Sequence, residues 1–314
     1  MVGRVKPTFS PFHFFTFSLT LFPVNISIIG NGKLGGALAI ALTRKGYVIE
    51  NLISSDGQKK LEFEGINQTA FSAETIKKIA SDVILICVQD FNIGKVAENL
   101  AENLVHKPTV LHTSGSLSSD ILHKLKKNGC PVGSLHPLVS ISDAVLGANR
   151  FADVFYCVEG EPKAVEIAKK IVADLGGKSF EIDSNFKTLY HASAVTACGH
   201  LVALIDVAVE MLGKCGLKEM QSREILLPLI ASTVENLKTQ TTAEALTGTF
   251  ARADSVIFEK HLETLKENVS PEAVETYLQL GERSVHLAEL QGADKNKLEI
   301  LRNKISLAKK FSKW

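Results

Sequence analysis

The spacing Gly30-Asn31-Gly32-Lys33-Leu34-Gly35 is the first feature of this chain that can do chemistry. Glycine at the first position permits a tight turn, and at the third it lets the backbone approach a pyrophosphate closely. At the sixth it lets a helix pack against a strand. The N–H groups at the start of such a helix then face the phosphates of a dinucleotide. Four further sets of polar residues fall where substrate chemistry would need them. His112-Thr113-Ser114-Gly115 offers a hydroxyl and backbone N–H groups for a carboxylate or oxyanion, or an ordinary serine–glycine turn. His136-Pro137-Leu138 offers an imidazole to substrate, or a loop cap. Lys187 and His191 stand four apart on one helix face, and either can be the proton donor of a hydride transfer. The plainer alternative is a lysine at a helix start and a core histidine. Arg252 can clamp a carboxylate with its two-pronged guanidinium, or pair with Asp254.

These groups need elements to hold them. Val24 to Ile29 is an apolar, β-branched run that reads as a buried strand, and Ala37 to Leu42 is good helix material. Strand, glycine turn and helix make the start of a dinucleotide-binding unit. Tyr47 to Ile53 is expected as the second strand, ending at Ser54-Ser55, with Asp56, Lys59 and Lys60 beyond. An NAD-preferring site carries an acidic residue near here for the ribose 2′-OH. Hydroxyls with lysines suit a 2′-phosphate, which favours NADP with NAD as the other option, although the lysines also fit the start of a solvated helix. Ser81 to Val88 reads as a central parallel strand whose end, Val88-Gln89, lies where a nicotinamide ribose is expected. Further strands are expected at 109–113, 132–135, 155–158 and 179–182, alternating with helices at 93–104 and 163–175. From Asn185 strand alternation ceases. Helices are expected over 186–212, 219–237 (with Pro228 inside), 254–265, 271–290 and 294–311. The first of these is apolar nearly all round, so it should be buried on most sides, in part against a second subunit.

The domains are therefore read as 24–183, an α/β doubly wound parallel sheet that binds NAD(P), and 184–314, an all-α domain for substrate and dimerisation. Residues 1–23 hold Arg4, Lys6 and many Phe, Ser and Thr, but no Asp or Glu. They read as a disordered extension, with an organellar targeting segment and a weak secretory signal as the other readings. The net charge of +1 gives no basic excess for nucleic acid or a membrane surface, and no apolar run reaches the roughly 18 residues of a bilayer span. The five cysteines form no C-x-x-C pair and read as reduced, buried hydrophobes of a cytoplasmic protein. The histidines show no metal-ligand spacing, and no metal is expected.

Ile29-Gly30-Asn31-Gly32, His112-Thr113-Ser114-Gly115, His136-Pro137-Leu138, Tyr190-His191-Ala192, Leu227-Pro228-Leu229 and Ala245-Leu246-Thr247-Gly248 together are specific. Over about residues 24 to 290 the chain resembles a family in which a Rossmann-like NADP-binding domain precedes a helical domain of unknown function, number 2520. That family lies within the 6-phosphogluconate dehydrogenase-like group. The resemblance implies NAD(P) binding, a homodimer through the helical domain and oxidoreductase activity. More distant relatives, the β-hydroxyacid dehydrogenases, use a lysine that Lys187 could match, with asparagine where this chain has His191. The expected function is NADP-dependent hydride transfer to or from a small carbonyl, imine or hydroxy acid. The alternatives are a non-catalytic redox-sensing module and a deazaflavin-dependent NADP reductase. Candidate roles are Gly30 to Gly35, Ser54, Ser55, Val88 and Gln89 for cofactor; Ser114, Gly115, His136 and Arg252 for substrate; and Lys187 and His191 for proton transfer.

Overall fold

The structure, a computed structural model, describes residues 24–54 and 68–311. The expectations for residues 1–23, and for Ser55, Asp56, Lys59 and Lys60, lie outside the described residues. The chain divides between Ala194 and Val195 into two compact units.

The first unit is built on β1 (Asn25–Ile29), α1 (Lys33–Arg44), β2 (Val48–Ser54), β3 (Gln68–Ala70), α2 (Ala73–Lys77), β4 (Val83–Ile86), α3 (Asp90–Asn103) and β5 (Thr109–His112). It continues with α4 (His123–Lys127), β6 (Val132–Pro137), α5 (Ala144–Gly147), β7 (Phe155–Gly160), α6 (Pro162–Asp174) and β8 (Lys178–Phe180). The eight strands form one sheet in the order β3-β2-β1-β4-β5-β6-β7-β8. Strand order reverses beside β1, between β2 and β4, so the sheet opens a crevice at the carboxyl end of β1. Val83 to Ile86 is fully buried because helices cover both faces. Ala37, Leu38 and Leu42 of α1 and Ala168, Ile171 and Val172 of α6 fill one face, and Ile76, Ile93, Leu100 and Leu125 of α2, α3 and α4 fill the other.

Two features were not foreseen. The short strand β3 adds an outer edge beyond β2, and β7 pairs antiparallel to β6, with His136 opposite Cys157 and Ser134 opposite Glu159. The β6–β7 connection carries only the single-turn helix α5, whereas the parallel neighbours β7 and β8 are joined across α6.

The second unit takes up most of α7 (Lys187–Lys214), then α8 (Glu219–Leu237), α9 (Gly248–Ala251), α10 (Ser255–Asn268), α11 (Pro271–Leu290) and α12 (Lys295–Phe311). Its core comes from α10, α11 and α12, through Phe258, Leu278, Val285, Leu298, Leu301 and Ile305. Asp254 caps α10 through the Ile257 N–H, and Ser270 caps α11 ahead of Pro271. Within the single chain α7 is mostly uncovered: Lys187 is its one fully buried residue, and Leu201, Val202 and Leu204 are exposed. The three-helix core is already closed without α7, which adds to it only the half-buried Met211. Cys198 and Cys215 are therefore exposed too, unlike the buried Cys130 and Cys157. The segment Ser184–Lys214 is also long and apolar enough to cross a bilayer, with mean hydropathy 1.8, contrary to the sequence reading.

The glycine turn sets the tolerance of the first unit. Gly30 has φ +111°, and a Cβ there would sit 2.5 Å from the Cys87 carbonyl oxygen. A Cβ on Gly35 would sit 1.9 Å from the Gly30 carbonyl oxygen, a backbone atom that cannot yield, and 3.1 Å from Cys87 Cβ. We expect Gly35→Ala to lower the unfolding free energy by about 2 kcal/mol or more, measured by denaturant titration.

Candidate active site

At the amino end of α1, the N-cap is Gly32, which has no side chain to cap the turn, and the first turn has no acidic residue. Among the described residues nothing lies within 4 Å of a Cβ built on Gly32, so they leave the space above the turn open. Uncapped helical N–H groups facing an open glycine turn fit a pyrophosphate. Asn31 is buried and Lys33 exposed, while Leu34 packs against the α1 face of the core. Ser54 closes β2 at 3% exposure. Val88 is half-buried and Gln89 exposed, directly before α3.

A second group gathers at the carboxyl ends of β5 and β6. The Ser114 hydroxyl accepts hydrogen bonds from the N–H groups of Ser116 and Leu117, each at 3.1 Å. Those donors hold the turn. Ser116 in turn donates to Asp90 at 2.6 Å. Gly115 is buried, and a Cβ built on it would lie 2.6 Å from His191 Nδ1 and 2.8 Å from His136 Nε2. The two imidazoles thus close on the same point over Gly115, with ring centroids 5.7 Å apart and nearly perpendicular. His191 Nδ1 is buried with no hydrogen-bond partner. On the other side of His136, Nδ1 lies 2.7 Å from the Tyr190 hydroxyl. Tyr190 leans edge-on against Phe180, which fixes its ring.

Lys187 lies behind this pair at 1% exposure. Its Nζ donates to Ser134 Oγ at 2.8 Å and stands 3.8 Å from Glu159 Oε1. Glu159 is itself fixed by the Ser119 N–H and hydroxyl, both at 2.8 Å. Burial lowers the Lys187 pKa, against the pull of Cys157 and Glu159. His112, fully buried, accepts the Ser114 N–H at Nδ1, and its Nε2 has no partner in hydrogen-bond geometry, though the Ser118 backbone is near enough to favour the charged form slightly. Burial, and then the Lys187 ammonium, push both His112 and His136 down to about 4.

Gly115, His136, Lys187 and His191 are therefore brought together, with Ser114 beside them in the supporting turn. Arg252 belongs to the second unit, exposed at the end of α9, and Asp254 Oδ1 accepts the Ile257 N–H instead. His200 and Asp206 are exposed on α7, and His261 bonds the Tyr277 hydroxyl at 2.9 Å. Sequence reasoning missed Tyr190, Ser134 and Glu159. Tyr190 had a signal, since it stands three after Lys187 and so shares its helix face. Glu159 had another: a carboxylate ending the apolar run Tyr156-Cys157-Val158 requires a partner.

Sheet order and crevice put the first unit in the Rossmann-like class. A Rossmann-like domain model matches residues 19–137, and the model of a domain of unknown function, DUF2520, matches residues 154–284. The two models match in the order expected from the sequence, a Rossmann-like domain followed by DUF2520. The second match begins at β7, so β7, α6 and β8 fall with the helices in that model. Protein TM1727 from Thermotoga maritima is similar in structure, with TM-score 0.66, 25% identity, and coverage of 85% of this chain and 99% of that one. BF3122 from Bacteroides fragilis, a provisionally assigned NADP oxidoreductase, gives TM-score 0.66 at 20% identity, covering 83% of this chain and 98% of its own. A Plasmodium falciparum pyrroline carboxylate reductase with NADP bound gives 0.57 at 15% identity, covering 89% and 97%. No curated protein matches in sequence.

The lowered histidine values tie stability to pH. Between about 6.5, the unfolded value, and about 4, the unfolded chain binds protons that folded His112 and His136 refuse. Their contribution is complete above the unfolded value and is lost as the pH falls through this window. Denaturant titrations from pH 7 to 4.5 should show falling stability, with a shallower slope for His112→Gln than for the unmodified protein.

Proposed function

We propose that this protein is an NADP-dependent oxidoreductase that moves hydride to or from a small carbonyl, imine or hydroxy-acid substrate. One observation carries the reading: the uncapped amino end of α1 opens above Gly32 at the crevice of the sheet. Gly30 to Gly35 would hold the pyrophosphate, with Val88 and Gln89 beside the nicotinamide ribose. Ser54 and Ser55, with Lys59 or Lys60, would meet the 2′-phosphate. The bound cofactor would supply the hydride chemistry. Gly115 and His136 would hold the substrate, supported by Ser114. Of the two proton-donor candidates, His191 is the better placed, since its Nδ1 is unpartnered while Lys187 Nζ is engaged with Ser134. The named activities of the structural neighbours support the class: besides the reductase above, an imine reductase from Myxococcus stipitatus was solved with NADP+.

The exposed apolar residues of α7 and α8, among them Val202, Ile225, Leu227 and Leu229, are proposed to pair with a second copy of the chain in the cytoplasm. A bilayer is the less favourable cover, because α7 carries His200, Asp206 and Glu210 along its length. Light scattering should give a dimer that Val202→Glu turns into a monomer, without binding to lipid vesicles. A monomeric unmodified protein would overturn the pairing.

Fluorescence titration should show NADPH binding at least about tenfold more tightly than NADH, worth about 1.4 kcal/mol. Equal or tighter NADH binding would remove the 2′-phosphate assignment. Gly32→Ala should weaken NADPH binding while leaving the unfolding midpoint in place. His191→Asn should cut kcat by about 100- to 10,000-fold with cofactor affinity unchanged.

A further inference from the structure

One row of the sheet is polar where burial calls for apolar side chains. Strand pairing sets Ile86 of β4, His112 of β5, Ser134 of β6 and Glu159 of β7 in one line across one face. The first three are fully buried, and Glu159 nearly so. In a sheet covered on both faces such positions are normally apolar. Here the line is completed from outside the sheet. Lys187 brings its ammonium to Ser134 Oγ and to the Glu159 carboxylate. Ser119 fixes that carboxylate with its N–H and its hydroxyl, one to each oxygen.

Stability alone does not account for this line. Apolar residues in place of a buried ion pair are commonly neutral or stabilising, whereas loss of one partner is costly. The neighbours of the pair suggest what it serves. Facing Lys187 are Ser134, Glu159, Cys157, His112, His136 and Asp90. Burial raises the Cys157 thiol, so it carries no charge at neutral pH, and Asp90 accepts the Ser116 hydroxyl. Among the described residues Glu159 is the carboxylate that pairs with the ammonium, at 3.8 Å. Facing His136 are Tyr190, His191 and Lys187 of α7, His112 of β5, Asp90 at the start of α3 and Cys157 opposite it on β7.

We propose that Glu159 is a positioning residue of the candidate site: it keeps Lys187 a fixed cation beside His112 and His136, which holds both imidazoles neutral and leaves proton donation to a group other than Lys187. The clause on proton donation rests on the oxidoreductase reading; the rest does not. Glu159 acts through Lys187 and touches no reacting atom. A lysine that gave up its proton at each turnover would leave the Glu159 carboxylate facing a neutral amine in the interior. Burial is the larger cause of the low histidine values and the ammonium the second, so removing the charge should recover part of the shift.

The test is an NMR pH titration of the full chain without cofactor, following the Lys187 side-chain nitrogen and the imidazoles of His112 and His136. In the unmodified protein at pH 7, Lys187 should be charged and both histidines neutral. In Glu159→Gln the Lys187 midpoint should fall by about two pH units, and Glu159→Asp should restore most of it. The double variant Lys187→Met with Glu159→Gln removes both charges together. It should be more stable to denaturant than Glu159→Gln alone, while both histidine midpoints rise by about one unit. A neutral Lys187 in the unmodified protein, an unmoved Lys187 midpoint in Glu159→Gln, or unmoved histidine midpoints in the double variant would overturn the proposal. If Glu159→Gln does not fold, the unmodified protein and the double variant still decide it. Failure of NADP+ to bind by fluorescence would instead overturn the oxidoreductase reading, since none of these titrations needs the cofactor.

Discussion

The arrangement depends on one buried cation. Lys187 is the first residue of α7, and its ammonium is anchored inside the sheet on Ser134 of β6, close to Glu159 of β7. An ammonium without partners in such a place would be costly, so the helix can begin only where those two oxygens wait. Once it does, helical geometry turns Tyr190 and His191, three and four residues on, towards the carboxyl ends of β5 and β6. The same charge lies close enough to His112 and His136 to favour their neutral forms. Lys187 thus fixes where α7 begins and adds to the burial that is the main cause of the lowered His112 and His136 values.

Much of the first unit was legible in the sequence because its signals are local. Glycine spacing marks the turn, continuous apolar runs mark the central strands, and caps such as Asp254 and Ser270 mark helix starts. The short β3 strand, Gln-Thr-Ala, carries no such mark and is specified by its pairing with β2. The reversal of β7 was hidden for a related reason, since strand direction is a property of the connection and not of the strand. In the site, Lys187, His191 and His136 could be picked out by residue type and helix period. The sequence offered no way to tell that Lys187 turns into the sheet while His191 turns over Gly115, because that depends on an antiparallel register bringing Glu159 beside Ser134.

The long helix shows a different limit. An apolar helix announces that it will be covered, but not by what. Within one chain the core of α10, α11 and α12 closes by itself, and the apolar positions of α7 and α8 are left outward. The second copy of the chain proposed as their cover would lie along the same helix that carries the candidate site at its amino end.

The Lys187 anchor also has a consequence for how the chain is made. Ser134 and Glu159 are brought together only when β7 has paired with β6, and Lys187 is synthesised after both. The amino end of α7 can therefore dock only on a sheet that has already chosen its strand direction. A misregistered β7 would leave a lysine and a glutamate stranded in an apolar interior. The ion pair therefore penalises a misregistered sheet and is satisfied only on the correctly paired one.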